Sequence, residues 1–191
     1  MANPIRYAPL AGLAVALVTA ACTSPNEPPT PSGSAAPVPV TAAPLDVSRY
    51  LAAPCSGVPT ELTAGLGVAE REDAHDTVLP GAGGQAQCRL SSGPHLTAAA
   101  EVRFYPTTRP LHLVTGPGSG VTTTSLDGYP AGEWVLSTGT DGSFTSCQMI
   151  VDIAQSQGIG ILFNGRSGEP IATSCGKARQ LAAGVIAPLR Y

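Results

Sequence analysis

Lysine is nearly missing from this chain. Of its ten basic residues only Lys177 is a lysine, and the nine arginines are scattered. Without a basic run or stripe there is no electrostatic footprint for nucleic acid, and none is predicted as a partner. Charged residues make up 12% of the chain. No acidic block is long enough for a disordered acidic tail. Long apolar runs are also missing. The longest candidate, Leu10–Val18, has nine residues, against the about 20 needed to span a bilayer, so no transmembrane helix is expected in the mature protein. No two cysteines are spaced Cys-x-x-Cys and no histidine lies near one in sequence, which gives no support for a zinc site. The glycine-rich stretches Gly81–Gly84 and Gly116–Gly120 do not join a strand to a helix in a phosphate-loop pattern, and read as flexible loops. No metal and no cofactor are predicted.

The N-terminus has the three-part layout of a secretory signal: a short leader with Arg6, the apolar Leu10–Val18, then Thr19-Ala20-Ala21 before Cys22. Two readings of this site compete. In the first, Cys22 carries a lipid and the chain is cut before it, although Thr19 stands where leucine is usual in a bacterial lipobox. In the second, it is an ordinary small-residue cleavage site and Cys22 is a free thiol. The sequence beyond Cys22 favours the first. Residues 23–44 hold seven prolines and one charged side chain, Glu27. Such a segment cannot bury enough apolar surface to fold by itself, and it reaches at most ~70 Å in the polyproline form. The expected organisation is therefore a signal peptide over 1–21, a lipidated Cys22 with a proline-rich tether over 22–44, and one domain over 45–191. This places the protein on the outer face of the cytoplasmic membrane.

Within the domain, the pattern predicts an α+β fold. An antiparallel sheet of about five to seven strands packs against a C-terminal helix, with a short N-terminal helix. Thr60–Gly67 reads as the short helix, capped by Thr60 and ended by Gly67. His95–Tyr105 alternates, with Leu96, Ala98, Ala100, Val102 and Phe104 on one face. Strands are also expected over Gln85–Leu90, Val121–Ser125, Glu133–Ser137, Phe144–Ala154 and Ile159–Phe163, with a hairpin turn at Asp141-Gly142. In the last segment Ala178, Leu181, Ala182, Val185, Ile186 and Leu189 recur at helical spacing behind a capping Ser174.

There are five cysteines. An odd number in an exported chain calls for an explanation of one; lipidation of Cys22 supplies it and leaves four for two disulfides. Sequence alone leaves three pairings open. The favoured one, Cys55–Cys88 with Cys147–Cys175, would fix the N-terminal segment and the last helix to the sheet.

The stretch from Leu45 to Pro54-Cys55, followed by Thr60-Glu-Leu-Thr-Ala-Gly-Leu-Gly67, resembles the opening of a family of actinobacterial lipoproteins of unknown function. Cys88, Cys147 and the closing Cys175-Gly-Lys-Ala-Arg-Gln-Leu-Ala-Ala-Gly-Val-Ile186 extend the resemblance to Leu189. Where many members carry Trp shortly after the second cysteine, this chain has Arg89 and Leu90. The resemblance implies an architecture and a cellular address, and no activity.

Few residues suggest chemistry. Ser174-Cys-Gly-Lys177 matches the Ser-x-x-Lys nucleophile motif of penicillin-recognising enzymes. The companion Lys-Thr-Gly is absent, so Ser174 reads first as a helix cap and only as a runner-up as the nucleophile of a serine hydrolase. Glu70–Asp76 gathers four carboxylates around His75 without the spacing of a calcium loop, and reads as a solvated polar loop. His95 and His112 are isolated. Tyr129 and Trp134 flank Pro130 and would anchor a partner if exposed. The expectation is a non-catalytic envelope protein that binds another envelope protein or a small ligand. The alternative is a carrier of a small apolar molecule, in a cavity lined by Met149, Val151, Leu181 and Val185.

Overall fold

A computed structural model describes residues 38–76, 85–94, 97–138 and 144–191. Seven antiparallel strands form one sheet: β1 (Glu70–Asp76), β2 (Gln85–Ser91), β3 (Ala99–Tyr105), β4 (Thr122–Leu126), β5 (Tyr129–Thr138), β6 (Phe144–Asp152) and β7 (Gly158–Ser167). The spatial order is β1-β2-β3-β7-β6-β5-β4. Two meanders thus meet at the centre, where β3 pairs with β7. The chain crosses from the centre to the far edge between β3 and β4, and that crossing carries a short helix, α2 (Pro110–Val114).

The inner face of the sheet is the core. Cys147, Met149 and Val151 of β6, with Ile159, Ile161 and Phe163 of β7, are fully buried, as strict alternation requires of strands with one dry face. Helix α3 (Ile171–Ile186) covers this face with Ala178, Leu181, Ala182, Val185 and Ile186, all fully buried. The short α1 (Thr60–Gly65) lies against α3 at Gly184. A Cβ there would meet the end of the Leu62 side chain, which would have to shift, so glycine suits this close approach. On the outer face, α2 sits over Gly158 and Gly132 through Pro110 and Leu111.

Three expectations are corrected. Glu70–Asp76 is an edge strand, not a loop. An edge strand is hydrogen-bonded on one side only, and its charges keep that edge from pairing with other chains. Thr60 does not cap α1: Pro59 occupies the N-cap, and the Thr60 hydroxyl accepts Arg71 Nη1 at 2.8 Å. Ser174 does not cap α3, which begins at Ile171 behind Pro170. Packing on the domain also begins before Leu45, because Val40 and Ala42 lie against the core and the Tyr129 hydroxyl donates to Ala43 O at 2.7 Å. Helix α2 has no counterpart among the expected elements, although proline at a first helical position is a known start signal. Strand β3 is formed from Ala99; His95 and Leu96, the Asp141-Gly142 turn, Gly81–Gly84 and Cys22 lie outside the described residues.

Candidate functional site

The four domain cysteines form two bridges, Cys55–Cys88 with Cα atoms 4.7 Å apart and Cys147–Cys175 with Cα atoms 5.1 Å apart. Cys55 sits in a 3-10 turn, Pro54–Gly57, laid against β1 and β2. Two inward side chains of β1 hold the same turn. Asp73 Oδ1 accepts Cys55 N–H at 2.6 Å. Arg71 donates to Cys55 O at 2.5 Å and also to Val58 O. Cys55 O also accepts Val58 N–H at 3.2 Å within the turn, so Arg71 adds a second donor to that carbonyl. The His75 ring meets Leu51 O at 2.8 Å. The acidic cluster read from the sequence is therefore split by strand alternation. Glu70 and Glu72 fall on one face, Arg71, Asp73 and His75 on the other, and the second set clamps backbone.

Ser174 and Lys177 lie on the first turns of α3 and do not act on each other. Ser174 is fully buried and its hydroxyl has no hydrogen-bond partner. Lys177 Nζ donates to Glu169 Oε1 at 2.5 Å and stands 5.3 Å above the Phe163 ring. Glu169 Oε2 accepts Arg166 N–H at 3.0 Å. The Glu169 carboxylate and the Ser174 hydroxyl both crowd the place where a Cβ on Gly165 would be. An ammonium already held by a carboxylate has no free lone pair to deprotonate serine, and a fully buried hydroxyl offers no path to an acyl donor. Outside this cluster a cleft of about 570 Å³ opens, lined by Ala64–Gly67, Arg166–Glu169 and Lys177.

The interface named for an apolar carrier is solid. Met149, Val151, Leu181 and Val185 have no accessible surface. A void large enough for water would give its lining atoms such surface. Glu133 lies within 4.8 Å of the sulfurs of Cys147 and Cys175. Those sulfurs are joined to each other, so the group offers no thiolate to a metal. Tyr129 is buried and Trp134 half-buried with Gly120 against its indole nitrogen, so they do not form an exposed pair. His112 is exposed at the end of α2.

Asp152 gave no signal in the sequence beyond ending an apolar strand. It is 1% exposed, and it accepts Leu111 N–H at 3.0 Å and Arg109 Nε at 2.9 Å. Burial pushes its carboxyl above the ordinary value, against the pull of these two donors. Its partners place it as the anchor of α2, not as a reacting group.

A cysteine-stapled antiparallel sheet under one C-terminal helix is the class of domain that these observations define. The chain belongs to the family described as protein of unknown function (DUF3558), whose model matches residues 17–187. No curated protein and no solved structure matches it. Among the described residues no helix is long and apolar enough to cross a membrane. The two disulfides fit an extracytoplasmic location.

Proposed function

We propose that this chain is a lipid-anchored binding protein of the outer face of the cytoplasmic membrane, held there through Cys22 and without catalytic activity of its own. One observation carries the anchor. Four of the five cysteines are consumed in bridges, so Cys22 has no thiol left in the chain to pair with. It also stands directly after Ala20-Ala21 and before the proline-rich stretch. The non-catalytic reading is supported by the one nucleophile motif, whose serine is buried and whose lysine is engaged by Glu169. Replacing Cys22 with alanine should move the protein from the membrane fraction to the soluble fraction of intact cells. A Cys22→Ala protein that stays membrane-bound until detergent is added overturns the anchor. A mass for the wild-type mature protein equal to its bare polypeptide does the same.

A further inference from the structure

The chain meets the domain at a corner marked by two exposed apolar side chains. Followed back from Val47, which is buried in the core, the segment crosses the end of the sheet. Leu45 N–H donates to Ile153 O at 3.0 Å, Tyr129 holds Ala43 O, and Ala42 lies beside Gly128. The Arg109 guanidinium then donates to Val38 O at 2.5 Å. Arg109 is itself bound to Asp152. Met149 and Val151 face the core, so alternation puts Asp152 on the outer face of the sheet. The link from Val38 back to Cys22 therefore starts beside that outer face.

Arg109 is also the N-cap of α2. Pro110 and Leu111 press on Gly158 and Gly132. Leu113 stands two residues after Leu111, on the other side of the helix, and is 68% exposed. Val38 is 53% exposed. Apart from the terminal Tyr191, these are the most exposed of the large apolar side chains among the described residues. The crossing that carries α2 also suits an acidic surface. Residues 106–126 contain no aspartate or glutamate, and the Asp152 carboxylate beneath them is buried and answered by Arg109.

We propose that this corner, Val38 together with Leu113 of α2, rests in the interfacial layer of the bilayer that holds the anchor. The domain then stands on the membrane by one corner of its outer sheet face and does not swing freely on its tether. This contact rests on the reading of Cys22 as a lipid anchor. The chain's own path selects the bilayer as the occupant. Residues 23–37 reach at most ~47 Å in the polyproline form, and they end at this corner. The far end of β5 lies about 30 Å further away. Two apolar side chains hold a bilayer weakly by themselves. A tether that keeps them close to the surface makes such a weak contact persist.

The test uses the full lipidated protein in vesicles of phosphatidylcholine and phosphatidylglycerol. A small share of the phospholipid carries a diazirine high in its acyl chain. After irradiation, the labelled peptides are mapped by mass spectrometry. Phe144, 47% exposed at the opposite end of the sheet, is the internal control. Peptides containing Val38 and Leu113 should carry about ten times the label of the peptide containing Phe144. The double variant Val38→Ser/Leu113→Ser should lose about four-fifths of the label on α2 while still floating with the vesicles. Both positions are exposed, and an unchanged melting temperature checks that the variant is folded. Equal labelling at Phe144 and Leu113 overturns the proposal, as does undiminished labelling of α2 in the double variant. Protection of α2 by a second copy also overturns it, and shows as label on Leu113 that rises when the protein is diluted in the vesicles. A wild-type protein that does not float with the vesicles removes the anchor itself. One that floats but is labelled evenly removes only the contact, so the two readings fail separately.

Discussion

The Pro54–Gly57 turn and helix α3 are each joined to the sheet by one disulfide, yet they are held in different ways. Helix α3 lays five fully buried side chains on the core and contributes its bridge at its first turn. The turn buries less: Pro54, Cys55 and Gly57, with Val58 behind them. Besides these and Cys55–Cys88 it is held by Arg71 and Asp73, which meet its backbone from β1. One segment is fixed by area removed from water and the other by directed polar contacts. A bridge therefore matters locally far more to the turn than to the helix.

Removing a bridge is the strongest way to break this contrast. The loops closed span 33 and 28 residues, so each double alanine variant should lose about 3.5 kcal/mol by the chain-entropy account. Local behaviour should differ. In Cys55→Ala/Cys88→Ala the amides of residues 55–58 should exchange quickly. In Cys147→Ala/Cys175→Ala the amides from Ala178 to Ile186 should stay protected. Equal loss of protection in the two segments would remove the distinction. Leu181→Ala, which empties part of the interface under α3, should lower stability by about 3 kcal/mol, read from urea unfolding. Arg71→Ala removes the Arg71 donor from the carbonyls of Cys55, which keeps Val58 N–H, and of Val58, and should cost about 2 kcal/mol. Protection at the turn should fall with it, while α3 is unaffected.

The smallest effect is that of pH. Asp152 has a carboxyl raised by burial above the ordinary value of 3.8, so the folded state binds its proton more tightly than the unfolded chain does. Its contribution is full below that value and is lost as pH rises through the folded value. Asp46 behaves oppositely. Hydrogen bonds from Ser48, and then from Gln157, lower its carboxyl, so its contribution is present above 3.8 and is lost as pH falls through the folded value. In Asp152→Asn the loss of stability on raising pH from this region should disappear, and in Asp46→Asn the loss on lowering it. Melting curves between pH 3 and 6 measure both.

Much of the architecture was legible because it rests on period. The alternation of Cys147, Met149, Val151 and Ile153, and the helical spacing of Ala178, Leu181 and Val185, each mark one face to be buried, and those faces meet. Strand β1 was not legible. Seven residues with one alanine and no other apolar side chain carry no period-2 signal, and an edge position with inward Arg71 and Asp73 makes them a strand. Ser174 was misplaced by four residues' worth of helix, because Pro170 starts α3 earlier than the serine suggested.

By itself the sequence determined the class of the domain, its apolar faces and the singular position of Cys22, since these follow from composition, periodicity and an odd count of thiols. The tertiary structure alone decided which cysteines meet and what the charges of β1 hold. Pairing and charge balance depend on distances between residues far apart in the chain, and only the packed sheet fixes those distances.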